Sequence, residues 1–275
     1  MKNLQLALVF ILTVAFSYAQ NFQGKAMYMS KTKFNFDFGE RKIPEDAKQR
    51  MKKRMDAALQ KTFVLNFTKT ASIYEEEVQL ESAGGPGGGK GGRGAMFASM
   101  FGGPAAGKSY KNLADKEYKR AVEFFGKNFL IQEPLQAFPW KLEKESKKIG
   151  KYTCFKATTM IGKNKSSSTK EVDTVQTQEL VTVWYTPEIP VSLGPDKYWG
   201  LPGLILSVYT AETQIVCTQV ILNVKEKVEI KAPKTGKKIS EEKFQKIVDS
   251  KTAELKERFK KGSGGGGPGG KKRQR

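Results

Sequence analysis

Ten short stretches of this chain alternate in polarity or are dense in β-branched and aromatic residues, and turn residues separate them. They are FNFDF (34–38), TFVLNF (62–67), ASIYEEEV (71–78), KNFLIQ (127–132), WKLEKE (140–145), KYTCFKAT (151–158), ELVTVWYT (179–186), LILSVYT (204–210), TQIVCTQVIL (213–222) and EKVEI (226–230). A period of two over runs this short is the pattern of strands with one buried face. No regular strand–helix–strand rhythm accompanies them, which favours antiparallel over doubly wound topology. The expected fold is therefore mainly β (α+β), a curved antiparallel sheet or half-barrel. Two helices join it. Residues 45–60 place Ala47, Met51, Met55, Ala58 and Leu59 on one face. Residues 241–261 follow Ser240, a candidate N-cap, and carry Phe244, Ile247, Val248, Leu255 and Phe259 as a stripe opposite Lys and Glu.

The ends and one internal stretch fall outside this pattern. Residues 1–19 pair Lys2 with an apolar run and a small-x-small site at Ser17-Tyr18-Ala19, so they are expected to be a cleaved secretory signal peptide. The run is too short for a membrane-spanning helix, which needs about 20 apolar residues. No Cys follows the site to carry a lipoprotein anchor. Eleven glycines lie in residues 84–107 and seven in 262–275, so 18 of the chain's 27 sit where no core can form. The expected organisation is one β-rich domain over 20–236, a disordered Gly-rich insertion at 83–108, an amphipathic helix at 237–261 and a disordered basic tail at 262–275.

Composition narrows the chemistry. The chain has no His, which removes Ser-His-Asp and Cys-His activation and His-based metal sites. No D-x-D-x-D-G calcium loop occurs either, so neither a metal nor any other cofactor is expected. GGPAAGKS (102–109) fits the letters of a phosphate-binding loop. It closes a Gly-rich stretch instead of a buried strand, and SYKNLADKEYKRAVEFF after it reads at least as well as strand and turn as helix. ATP is not an expected ligand. A formal net charge of +20 attracts anionic surfaces such as lipopolysaccharide or phospholipid. Nucleic acid is disfavoured in an exported chain with no binding module. The two cysteines, Cys154 and Cys217, lie in separate strand runs. In an oxidising compartment they are expected to form one bridge, worth ~4 kcal/mol in chain-entropy terms.

The stretch VWYTPEIPVSLGPDKYWGLPGLILSVYT (183–210) differs from the rest. A strand ending at Trp184-Tyr185 enters a loop holding Pro187, Pro190, Pro195 and Pro202, and GLPG leads into the next strand. Each proline fixes its φ and extends the residue before it. Leu201-Pro202-Gly203-Leu204 suits a type II turn, and Gly200 beside Tyr198 and Trp199 permits close backbone approach. Such a stiffened aromatic loop loses little entropy on contact, which suits recognition. The competing reading is that Trp184, Tyr198 and Trp199 fold back and plug the sheet.

The run Gly200-Leu201-Pro202-Gly203-Leu204-Ile205 resembles the signature of the GLPGLI family of exported Bacteroidetes proteins. Trp140-Lys141-Leu142, Ile149 to Ala157, Trp184 to Pro190 and Gly194-Pro195 are similar to that family's landmarks, in the expected order. The resemblance covers roughly 22–235 and implies a cell-envelope setting, periplasm or periplasmic face of the outer membrane. As an association it implies an outer-membrane TonB-dependent receptor as partner. It implies no chemistry. The leading expectation is a non-enzymatic envelope protein that binds a protein partner or ligand through residues 184–205: Trp184, Tyr185, Pro187, Pro190, Gly194, Pro195, Tyr198, Trp199, Gly200, Leu201, Pro202, Gly203, Leu204 and Ile205. One alternative is a periplasmic carrier whose concave face, with Phe34, Phe36, Phe38, Phe63, Leu65 and Phe67, holds an acyl chain or other apolar ligand. A second is a glycan hydrolase using Glu188 with Asp196.

Overall fold

The computed structural model describes residues 22–32, 44–77, 107–165, 175–226 and 228–262. The signal-peptide region, Phe34, Phe36 and Phe38, most of the Gly-rich insertion and nearly all of the tail lie outside them.

The described chain is mostly β and forms one open, curved sheet. Its strands are β1 (Gln23–Thr32), β2 (Gln60–Thr68), β3 (Ala71–Glu76), β4 (Gly107–Asn112), β5 (Glu117–Phe124), β6 (Lys127–Pro134), β7 (Lys141–Ile149), β8 (Tyr152–Lys165), β9 (Val175–Thr186), β10 (Leu204–Tyr209), β11 (Thr213–Leu222) and β12 (Lys237–Ile239). Helix α1 (Glu45–Ala58) sits between β1 and β2, and α2 (Glu241–Gly262) follows β12. The spatial order is β12-β6-β5-β4-β3-β2-β1-β11-β10-β9-β8-β7. Two antiparallel meanders, β1 to β6 and β7 to β11, are thus joined where β1 pairs with β11, from Gly24 opposite Leu222 to Thr32 opposite Thr213. Only β12 runs parallel to its neighbour, β6.

Several expectations need correction. In EKVEI (226–230), the described residues Glu226 and Val228 to Ile230 are not in a strand. Gly107 and Lys108, assigned to the insertion, open β4, so Lys108-Ser109 of the phosphate-loop pattern lie in a strand between β3 and β5. The loop-to-helix turn that lets backbone N–H groups wrap a phosphate does not occur there. β1, β4, β5 and β12 are not among the ten stretches; β4 and β5 lie in the run that reads as either strand and turn or helix, while β1 and β12 are hidden for other reasons. β1 (QGKAMYMSKT) alternates strictly in burial but has Ala and Met where β-branched residues would signal a strand, and β12 is only three residues long.

Cys154 and Cys217 are both buried and free. They lie on β8 and β11 with β9 and β10 between, roughly 14 Å of sheet at the usual strand spacing. A disulfide needs Cα atoms within about 7 Å. Each thiol instead donates to a nearby carbonyl, Cys154 to Tyr152 O at 3.7 Å and Cys217 to Gln219 O at 3.4 Å. Burial pushes them up to about 11 and about 12. Both are therefore expected to stay unreactive toward a thiol reagent at neutral pH until the protein unfolds, when two equivalents should react. Full reaction in the native protein, or none after unfolding without reductant, would contradict the assignment.

Cross-strand register fixes which side of the sheet is filled. Leu65 faces Tyr74 and Phe67 faces Ser72 across β2–β3; Ser72 then faces Lys111, and Lys111 faces Tyr118. These residues share one face, and two pieces of chain cover it. At the β5–β6 end, Phe244 and Val248 of α2 pack on Val122, Phe124, Phe129 and Ile131. Arg120 holds the start of that helix, its guanidinium donating to both Glu241 carboxylate oxygens at 2.7 and 2.8 Å. The larger cluster, from Ala26 and Tyr28 to Ile215 and Cys217, is filled by the segment after β9.

Candidate functional site

Residues 187–203 carry most of the unusual geometry. Two prolines here each stand at the centre of a tight three-residue turn: Val191 N donates to Ile189 O across Pro190, and Gly203 N to Leu201 O across Pro202, both at 2.8 Å. Trp140 N makes the same bond to Phe138 O across Pro139 at 2.9 Å. Inverse γ-turns want a central φ near −75°, which the pyrrolidine ring already supplies. The type II turn expected at 201–204 is therefore not formed. Leu204 N donates to Ile189 O instead, at 3.0 Å, and Gly203 has φ 157°, not the near 80° of that turn. Gly203 is needed because Thr186 lies against it: a Cβ there would sit 2.1 Å from Thr186 O.

The loop is turned inward. Ile189, Leu193, Leu204 and Ile205 have no exposed surface, and Tyr185, Val191, Tyr198 and Leu201 are buried. Gly194, Pro195 and Gly203 are buried as well. Of the residues proposed for binding, Pro187, Pro190, Gly200 and Pro202 remain exposed, and Trp184 and Trp199 are half-buried. The loop thus plugs the sheet, and its rings do not form a free recognition tip. Trp199 donates through Nε1 to Gln136 O at 2.7 Å, while Trp199 O accepts from Trp140 Nε1 at 2.8 Å. Tyr28 Oη reaches from β1 to Ile205 O at 2.7 Å.

Lys111 is the residue that sequence reasoning missed. Its side chain has no exposed surface, and its ammonium donates to Gly194 O at 2.6 Å, to Tyr198 O at 3.1 Å and to Asp196 O. Three N–H groups meet three loop carbonyls, so the buried charge is fully hydrogen-bonded. Burial pulls its pKa down to about 7, against the opposing pull of the Asp196 carboxylate. The carbonyls also favour the charged form. Asp196, at φ 46°, accepts from Tyr118 Oη at 3.4 Å. Glu188 is tied elsewhere: its Oε1 accepts from Thr153 N at 2.7 Å.

Beside the plugged region the trough stays open. A cavity of about 210 Å³ is lined by Phe63, Tyr74, Ile161, Tyr198, Val208 and Ile215, with Glu179, Asp196, Lys197 and Glu212 among its polar residues. Phe63 and Tyr74 stack at 4.8 Å. Tyr74 is 4% exposed, and its hydroxyl has no hydrogen-bond partner among the described residues. Burial raises its pKa well above the ordinary tyrosine value, so the group stays a neutral O–H. The cavity takes in Asp196 but not Glu188, so the carboxylate pair considered for hydrolysis does not share it. Of the side chains considered for a concave binding face, Phe63 lines the cavity and, like Leu65 and Phe67, belongs to the core. Among the described residues no group of three or more His, Cys, Asp or Glu could hold a metal ion.

The run from Trp140 through the plug to Ser207 is also what comparison with other proteins picks out. Residues 140–207 match the Porph_ging family, described as a protein of unknown function. The family is Bacteroidetes-associated, and the Porph_ging match takes in β7 to β9, the whole loop and the GLPGLI run. No curated protein matches the chain. Two crystal structures of PNGF-II align over 83% of this chain at 12% and 11% identity, each with a TM-score of 0.47. The alignment takes up 33% of PNGF-II, so the chain spans about a third of that protein's length. LprF from Mycobacterium bovis aligns at 7% identity and a TM-score of 0.27, over 80% of this chain and 93% of LprF. Among the described residues no helix is long and apolar enough to cross a membrane.

Proposed function

We propose that this chain is a non-catalytic binding protein of the cell envelope that takes a small ligand into the open end of its trough. The observation that carries this is Tyr74, which lines the cavity and whose buried phenol hydroxyl has no partner among the described residues; Phe63, Ile161, Tyr198, Val208 and Ile215 form the apolar lining, and Glu179, Asp196, Lys197 and Glu212 are among the polar residues. A buried donor left unpaired costs about 1–3 kcal/mol, which a ligand acceptor would recover. The volume, about 210 Å³, suits a compact ligand with an apolar body and one hydrogen-bonding group, smaller than the usual drug-sized occupant. The loop forms one wall of this site through Tyr198, and its prolines keep the wall still. The absence of His from the chain supports binding over catalysis. An exported, periplasmic location rests on the N-terminal run and the family resemblance.

Native mass spectrometry of protein purified from the periplasm tests this. A bound mass in the wild type that is lost on Ile161→Trp, which fills the mouth from a half-buried position, is the expected result. Tyr74→Phe should keep the fold and weaken the same ligand about fivefold, the value of one neutral hydrogen bond. An empty wild-type protein that takes up no ligand from a periplasmic extract would overturn the reading.

A second reading keeps a protein partner, such as an outer-membrane receptor, at the loop. It is favoured by the exposure of Pro187, Glu188, Pro190 and Pro202 on a segment that is otherwise buried. Its test is replacement of those three prolines by Ser. The buried Leu201 and Gly203 are unsuitable, because changing them would unfold the wall itself.

A further inference from the structure

We infer that the open cavity selects a compact organic cation, an amine on an aromatic or branched aliphatic body, with Glu179 and Asp196 as its counter-charges. This deepens the cavity reading and rests on it. The chain carries 48 Lys and Arg against 28 Asp and Glu, yet the described residues lining the cavity include Glu179, Asp196 and Glu212 against Lys197. Register puts Glu179 inside the trough. It shares the inward side of β9 with Val181 and Val183, which have no exposed surface, and it pairs with Ile161 of the lining. A carboxylate thus stands where the period of the strand calls for an apolar residue. Its Oε1 accepts from Ala211 N at 3.0 Å, which ties it to the β10–β11 turn that carries Glu212. Asp196 comes from the plug loop and is half-buried.

The potential at the wall has the same sign. Besides burial, Asp196 and Glu179 push the Tyr198 hydroxyl up, and Asp196 and Glu76 push that of Tyr74 up, so negative potential reaches both phenols. Two cations act on Asp196, and both are committed elsewhere. Lys111 gives its ammonium to three plug carbonyls, and Arg120 binds both oxygens of Glu241. Lys197 is exposed, its Nζ 5.8 Å from the Tyr198 centroid, near the outer limit of a cation–π contact. A ligand cation would take that place and release the lysine to solvent. The stacked rings of Phe63 and Tyr74 add to the attraction, because aromatic faces favour organic cations. The neutral Tyr74 oxygen, without a partner among the described residues, has lone pairs to accept from an ammonium N–H. An anion would meet repulsion here, and a neutral ligand would leave the carboxylates unused.

Isothermal titration calorimetry with three probes of one carbon framework tests the inference: 2-phenylethylamine, 2-phenylethanol and phenylacetate. The amine should bind about 25-fold more tightly than the alcohol, and phenylacetate should bind least. Glu179→Gln with Asp196→Asn should weaken the amine about 25-fold, roughly fivefold per charge, and leave the alcohol unchanged. Both substitutions keep an oxygen for the bonds from Ala211 N and Tyr118 Oη, and Asn tolerates the φ of 46° at position 196. Lys197→Gln should tighten the amine about fivefold, a gain that a merely structural role would not produce. Circular dichroism confirms that each variant is folded. An alcohol or phenylacetate that binds as tightly as the amine would overturn the inference, as would amine binding that the paired substitutions leave unchanged. The cavity reading survives either result if Ile161→Trp abolishes the binding, and binding that persists in that variant would sink both. No binding of any probe would also overturn the inference, and native mass spectrometry then decides the cavity reading separately.

Discussion

Gly203→Ala is expected to abolish folding or to lower stability by more than about 3 kcal/mol, the range of severe backbone clashes. The new methyl group would lie 2.1 Å from Thr186 O, 2.5 Å from Thr186 C and 2.8 Å from Pro187 N. All three atoms are backbone, and Pro187 cannot swing aside. Thr186 and Leu204 are paired across β9–β10, so relief would have to break the strand pair that frames the loop. Gly200→Ala is the matched control. There φ is +95°, but nothing lies closer than 3.7 Å, so the cost is only the strain of a positive φ, about 1–2 kcal/mol. Urea denaturation of the two variants side by side measures the difference, and equal midpoints would show that the loop does not sit against β9 as described.

Lys111→Met should be nearly as damaging, and its effect should depend on pH. The variant keeps most of the side-chain volume but leaves the carbonyls of Gly194, Asp196 and Tyr198 without their donor. Unmade buried hydrogen bonds of this kind cost about 1–3 kcal/mol each, and relaxation offsets part of the sum. For the pH dependence, the folded-state pKa is about 7 against an ordinary 10.5. Between those values the unfolded chain holds a proton that the folded chain has released, so stability rises with pH. The contribution is complete above 10.5 and is lost as pH falls through 7. Across pH 7 to 9 the wild type should gain on the order of 2 kcal/mol from this group, and Lys111→Met should gain none of it. The window stops at 9 for a reason. Burial raises the pKa of Tyr28, Tyr74, Tyr118 and Tyr198, and those phenols impose the opposite slope once free tyrosine begins to ionise. Parallel wild-type and variant profiles in denaturant would refute the assignment.

The strand content and both helices were legible because burial on one face imposes a period that survives in single residues. Phe63 and Leu65 on β2, or Val181 and Val183 on β9, announce their side of the sheet. What the period could not reveal is how far the sheet is filled. A Pro-rich aromatic segment reads equally as an exposed tip or as a plug, and the outcome depends on a partner distant in sequence. Here that partner is Lys111, one of 48 basic residues, on a strand whose neighbours Ser109 and Tyr110 are also buried. Nothing local distinguishes it. The disulfide expectation failed for a related reason: spacing along the chain carries no information on how many strands intervene. Tyr74 belongs to an obvious strand, but an orphaned hydroxyl exists only once its surroundings do.

The pairing of β1 with β11 has a consequence for how the molecule is made. The first strand to leave a ribosome or a translocation pore has β2 on one flank, but its other flank stays bare until residue 222 has arrived. Such long-range closure makes for slow, all-at-once maturation. Ending the chain before β11 would thus leave β1 as an adhesive border, and no smaller version of the same architecture would result.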